Sequence, residues 1–160
     1  MTEERILVLK SKLSSFKIEL IDVNGTPGVI IPKENLLEVC KILKNDNELS
    51  FDQLVDAIGV DRFTKKDRFE VIYNLRSVRY KDRLFIKVKV DANEPNSPSL
   101  VPIWGSANWY EREAYDMVGV EFTDHPDLRR MYMPEDFEYH PLRKDFPLMG
   151  IPGSLPLPNK

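Results

Sequence analysis

FEVIYNLRSVRYKDRLFIKVKVD, residues 69–91, is the stretch on which the fold depends. Two runs rich in Val, Ile, Tyr and Phe flank Lys81-Asp82, so it reads as two strands joined by a turn. In the second run Leu84, Ile86, Val88 and Val90 alternate strictly, which buries one face of a sheet and leaves the other wet. The pair is expected to be the longest hairpin of that sheet.

KIELIDV (17–23) reads as another strand, with Asn24-Gly25 as a hairpin turn into GVIIP (28–32). Ile6, Leu9, Leu13 and Phe16 line one helical face over residues 3–16. Pro32 suits a helix start, and Leu36, Cys40 and Leu43 continue at helical spacing. SFDQ (50–53) predicts a short helix, with Ser50 as its N-cap, Gln53 reaching back and Gly59 at its end. DANEPNSPS (91–99) has the composition of a loop, and LVPIW (100–104) returns to extended chain. After residue 124, prolines at 126, 134, 141, 147, 152, 156 and 158 forbid a long helix or a central strand. The expectation is therefore an α+β body over 1–124, its mixed or antiparallel sheet carrying a long hairpin and flanking helices, followed by an extended Pro-rich arm over 125–160.

Composition narrows function by exclusion. The 160 residues are 42% hydrophobic and 31% charged, ordinary for a globular chain. A net charge of −3 argues against general affinity for nucleic acid or an anionic membrane. Cys40 is the single cysteine, so no internal disulfide forms and the chain alone cannot supply the four ligands of an iron–sulfur cluster. Apolar runs such as GVII are too short to span a bilayer, and MTEERILVLK lacks the pattern of a signal or transit peptide. The expectation is a soluble chain that reaches a membrane only through a partner. No GxGxxG and no P-loop occurs.

The chemistry-bearing stretch is WYEREAYDMVGVEFTDHPDLRR, 109–130. Asn108 to Glu111 reads as a capping box and Gly119 as the left-handed terminator of a helix. Tyr110, Ala114, Met117 and Val118 would form its buried stripe, with Arg112, Glu113 and Asp116 on the other side and Arg112 pairing Asp116. Glu111 and Glu113 would sit in the first turn, where negative charge suits the helix dipole. His125 and His140 each precede proline and so lie in extended or turn backbone, exposed or making local hydrogen bonds. A metal-dependent hydrolase using Glu113, Asp116 and His125 would need tighter ligand spacing than is present. A docking face fits better, because Arg129, Arg130, Arg143 and Lys144 interleave with Trp104, Trp109, Tyr132, Tyr139 and Phe146. In DFPLMGIPGSLPLPNK, Leu148, Met149, Ile151, Leu155 and Leu157 recur between prolines, a pattern suited to lying along a partner's groove.

EREAYDMVGVEFTDHPDLRRMYMPED followed by HPLRKDFPL closely resembles the signature of the respiratory complex I 30-kDa subunit family, in bacteria the C-type subunit of NADH-quinone oxidoreductase. The likeness runs through Glu111, Arg112, Glu113, Asp116, Gly119, Phe122, His125, Pro126, Leu128, Arg129 and Arg130. It resumes at His140, Pro141, Leu142, Arg143, Lys144, Asp145, Phe146 and Pro147. GVDR at 59–62 and the order of the earlier elements also match, whereas Tyr139 stands where the family usually has glycine. The resemblance implies a non-catalytic scaffold with no cofactor of its own. Its partners would be the quinone-site large subunit (of the 49-kDa type) and neighbouring iron–sulfur subunits. Other subunits would hold NADH, FMN, iron–sulfur clusters and quinone, and the assembly would couple electron transfer from NADH to quinone with proton translocation. The expected location is the cytoplasmic face of a bacterial inner membrane, as a peripheral protein. The equivalent subunit of a membrane-bound hydrogenase is the alternative.

Overall fold

The computed structural model describes residues 1–151. The 69–91 hairpin forms as β4 (Phe69–Arg76) and β5 (Arg83–Val90), paired antiparallel from Phe69 opposite Val90 to Arg76 opposite Arg83. Leu84, Ile86, Val88 and Val90 are all buried, as their alternation requires, and meet Phe69, Val71, Tyr73 and Leu75 on the same face. Burying each such side chain contributes roughly 1.5–3 kcal/mol.

β1 (Glu19–Val23) and β2 (Thr26–Ile31) form the second hairpin. Its turn has Asn24 at φ 52° and Gly25 at φ 81°, the twin left-handed residues that match the twist of the strands. Asp22 accepts a hydrogen bond from the Gly25 N–H at 2.9 Å. β2 then pairs with β5 in parallel, which gives the mixed order β1-β2-β5-β4-β3. Parallel neighbours need a crossover. Here it runs through a 3-10 turn at Lys33–Asn35, α2 (Leu36–Asn45) and the β3–β4 pair. Leu36, Val39, Cys40 and Leu43 of α2 are buried in the core shared with the sheet.

α1 spans Glu3–Lys12, shorter than the spacing to Phe16 suggested, and buries Leu9 with Leu13 just beyond its end. Arg5 hydrogen-bonds the Asp82 carboxylate, holding this helix to the β4–β5 turn.

SFDQ does not open a helix. Residues 53–61 form the edge strand β3 (Gln53–Asp61), antiparallel to β4 with an irregularity between Leu54 and Asp56. Ser50 has φ 50° and Asp52 accepts the Val78 N–H, so the residues that look like a cap serve the turn from α2 into β3 and tie it to the β4–β5 turn. Pairing with β4 overrides local propensity here. The β3–β4 ladder is as long as the β4–β5 ladder, so the hairpin expected to be the longest has an equal.

Two further expectations fail. The 91–99 loop contains β6 (Asn96–Pro98), which pairs in parallel with β7 (Glu121–Thr123), and residues 101–103 turn instead of extending. The turn carries the chain into α3 (Ala107–Val118), which packs on β3. Gly59, expected to end a helix, marks that contact: a Cβ there would lie 3.1 Å from the Ala114 Cβ.

Candidate docking site

α3 buries charge. Glu111 and Asp116 are fully buried and Arg112 nearly so, beside Ala107, Ala114 and Val118, while Tyr110 and Met117 are half-buried and Glu113 is exposed. The polar side expected of this helix is thus largely interior. The capping box does not form either. The helix begins at Ala107, and Glu111 points away from its start, accepting from the Ser99 Oγ–H at 2.6 Å and the Leu100 N–H at 2.7 Å. Neither Glu111 nor Glu113 lies in the first turn. Burial pushes the Glu111 carboxyl up to about 7 against the opposing pull of those two donors.

Arg112 and Asp116 do not pair with each other; each reaches the chain that follows β7. Asp116 accepts from the backbone N–H groups of Met131, Tyr132 and Met133 at 2.9, 2.6 and 3.1 Å, and from Arg130 Nη1 at 2.7 Å. Burial alone would raise its pKa, but the backbone donors and the guanidinium hold it below the ordinary value, so it is an anion. Arg112 donates to the carbonyls of Arg129 and Arg130 at 3.1 and 3.2 Å. One helical turn therefore presents an anion and a cation that both brace the loop at 129–133.

The residues after that loop finish the helix. Gly119 has φ 79° and its N–H reaches the carbonyls of Ala114 and Tyr115, the left-handed termination that the sequence suggests. His140 Nδ1 lies 3.0 Å from the Asp116 carbonyl and the Leu142 N–H donates to Met117 at 2.9 Å. Arg143 Nε donates to Val118 at 2.7 Å and Nη2 to Gly119 at 3.3 Å. The final carbonyls of α3 are thereby satisfied by HPLR, and a cation sits at the negative end of the helix dipole. The approach is close enough that a Cβ on Gly119 would fall 2.2 Å from Arg143 Nη2.

A third tie runs to the sheet. Arg68, from the β3–β4 turn, bridges Asp61 at 2.7 Å and Asp145 at 2.8 Å, and the Lys144 N–H donates to Asp61 at 2.8 Å. Burial opposes these bonds at Asp61, yet they bring its carboxyl down to about 2. Phe137 is buried against Tyr139 and Phe146. Sequence reasoning missed Arg68, Phe137 and Ser99, and Asp61 only brushed the reading through GVDR. Ser99 stands twelve residues from Glu111 and Arg68 is far in sequence from Asp145, so no local spacing links them, whereas Phe137 lies near Tyr139 in sequence but in a stretch with no periodic pattern.

His125 accepts the Asp127 N–H on Nδ1 at 3.0 Å, which leaves its proton on Nε2, aimed at the Asn108 carbonyl at 3.2 Å. Burial lowers its pKa, as it does for His140. Glu113, Asp116 and His125 occupy three different settings, and among the described residues no group of three His, Cys, Asp or Glu side chains is placed to hold a metal. Asp116 is already occupied by Arg130 and three backbone N–H groups, so it does not converge with Glu113 and His125. Leu128 packs against the core, whereas Pro126, Arg129, Lys144, Asp145 and Pro147 are exposed. Beside them Trp109 and Leu142 are each 60% exposed, Tyr132 is 58% exposed, and Leu148 and Met149 lie open to solvent.

Residues 29–152 match the family described as the respiratory-chain NADH dehydrogenase 30 Kd subunit. The chain belongs to that family. Among curated members, it is 43% identical over 145 residues to the C-type subunit of NADH-quinone oxidoreductase from Geotalea uraniireducens, covering 91% of this chain and 87% of that one. It is 42% identical over 158 residues to the second C-type subunit of NADH-quinone oxidoreductase from Rhizobium meliloti, covering 97% and 86%. Of solved structures, a trypsin-resistant fragment of Nqo5 is 32% identical with a TM-score of 0.65, covering 78% of this chain and 99% of the fragment. A chain of an archaeal membrane-bound sulfane sulfur reductase shares the fold at 22% identity and a TM-score of 0.77, covering 92% and 88%. The expected family and the α+β fold with a mixed five-stranded sheet are thus both found.

Proposed function

We propose that this chain is a non-catalytic scaffold in the peripheral arm of a proton-translocating NADH:quinone oxidoreductase. α3 and residues 125–151 form the face that receives the quinone-site large subunit and neighbouring iron–sulfur subunits. Residues 1–124 act as the body and 125–160 as the docking arm. NADH, FMN, iron–sulfur clusters and quinone belong to the other subunits, and the assembly sits at the cytoplasmic face of the membrane.

The observation that carries this reading is where the signature's charges go. Asp116, Arg112, Arg130 and Arg143 are spent on groups of their own chain, which fixes the loop and leaves Trp109, Tyr132 and Leu142 exposed around it. Rigid aromatic and aliphatic side chains on a braced backbone are what a partner's pockets grip. Two further facts fit. Cys40 is buried in the core, with its thiol pKa pushed up by that burial. No helix among the described residues is long and apolar enough to cross a membrane.

Truncation after Asp145 removes Leu148 and Met149 and should weaken assembly with the large subunit in a reconstitution assay. Unchanged assembly sinks the proposal. Leu155 and Leu157, also expected to contact the partner, lie outside the described residues. The equivalent role in a hydrogenase-type complex is the second reading, to which the fold shared with the sulfane sulfur reductase chain is equally suited. A co-purifying large subunit with nickel-binding cysteine pairs would decide for it.

A further inference from the structure

The sheet has a second face, and it is not the ordinary polar outside of a half-buried sheet. α3 packs on the inner side of β3 through Gly59 and Ala114. The outward positions of the five strands are half-buried or exposed, save Gly28 and Asn74. They read Ile21 on β1, Ile30 on β2, Phe85 on β5, Ile72 on β4 and Ile58 on β3. Ile58 is 53% exposed. Gly28 lets the Ile21 side chain lie across the strand, since a Cβ there would be 3.0 Å from Ile21 Cγ1. A sheet face meant only for water alternates to polar residues at these positions.

Around that stripe the charge is positive. Arg76 and Arg83 are directly opposite each other across the β4–β5 ladder, and Lys87 and Lys89 follow along β5. Like charges placed opposite one another destabilise a sheet unless something compensates them. The carboxylates of the same face are Glu70, which stands opposite Lys89 but is engaged by Arg62 at 2.6 Å, Asp56, which accepts from Asn74 at 3.1 Å, and Glu19 at the far edge, which shares a cleft with Lys89. None of the four cations has an ion-pair partner among the described residues.

We propose that this face docks an acidic, apolar-centred protein surface carried by a second neighbour in the complex. Five strands about 4.8 Å apart, from 5 residues in β1 to 9 in β3, give a projected area of about 550 Å². Side-chain relief brings that towards the ~800 Å² each partner gives to a stable interface. A second copy of this chain is the wrong occupant, because an isologous contact would set these four cations against their own equivalents. Nucleic acid is disfavoured by the apolar centre and by the net charge of −3. The chain would then be a bridge, with one partner on α3 and the arm and another on the opposite side of the sheet.

Acetylation of lysines in the free full-length chain and in the purified complex, read by peptide mass spectrometry, tests the idea. Labelling of Lys87 and Lys89 should fall at least ten-fold on assembly, and a carbodiimide should join one of them to an Asp or Glu of another subunit. In Arg76→Glu/Arg83→Glu, both sites being exposed, the free chain should keep its melting temperature while the carbodiimide product drops below a tenth. Lys144 reports on the α3 face separately, so either docking site can fail while the other stands. Equal labelling in the two states overturns the proposal, as does an undiminished product in the double variant. So does protection that arises from dimers of the free chain, or from phosphatidylglycerol vesicles without any cross-link to protein.

Discussion

Glu111 offers the sharpest test of the interior of α3. Its carboxyl is fully buried, faces two donors and no cation within hydrogen-bonding distance, and rises from 4.5 to about 7. A pKa raised in the folded state means that folding favours the protonated form. The associated stability is complete below about pH 4.5 and is lost as pH rises through about 7. Raising the carboxyl from 4.5 to about 7 gives a penalty of about 3 kcal/mol at high pH, of which roughly 2–3 kcal/mol accrues between pH 5 and pH 8. Glu111→Gln keeps an acceptor for the Leu100 N–H and a donor for Ser99 Oγ but cannot ionise. Urea unfolding of both proteins, at half-unit steps from pH 5 to 8, reads the carboxyl together with its neighbour His125, whose Nε2 lies 3.9 Å from Glu111 Oε2, while the distant His140 is common to the two. The wild type should lose about 2–3 kcal/mol relative to the variant over that range. Parallel stability curves would show that Glu111 is ordinary, and the burial argument would be wrong.

Asp116→Asn leaves a neutral side chain with one acceptor before three backbone N–H groups and Arg130. It should cost about 2–4 kcal/mol, with hydrogen exchange at Met131, Tyr132 and Met133 accelerating more than in β4 or β5. Trp109→Ala removes a largely exposed ring and should change the stability of the free chain by less than about 0.5 kcal/mol. If Trp109 is an anchor for the large subunit, the same variant weakens assembly by about 2 kcal/mol or more in a competition assay.

The sheet is readable where periodicity is clean. Leu84 to Val90 alternate without a break, and Asn24-Gly25 is a turn that two left-handed residues can make. β3 is not readable, because Ser50, Asp52 and Gln53 carry helix-start chemistry and its strand identity comes from β4, which begins sixteen residues further on at Phe69. On α3 the terminator Gly119 is legible, since backbone conformation alone demands it. Its burial pattern is not. Hydrophobic periodicity assumes that charged residues face water, and Glu111, Arg112 and Asp116 escape that rule by finding partners up to eighteen residues away. The family signature points to the right residues while local helix rules give them the wrong surroundings.

The termination of α3 by His140, Leu142 and Arg143 has a consequence for the order in which the molecule is made. A nascent chain that ends before residue 140 carries a helix whose last carbonyls still lack those donors, and whose Asp116 has only the 130–133 loop to hold it. The strands of the five-stranded sheet and α2 are made earlier, since all of them precede Asp91. Synthesis therefore completes the partner-facing surface last, after every strand of the five-stranded sheet has been made.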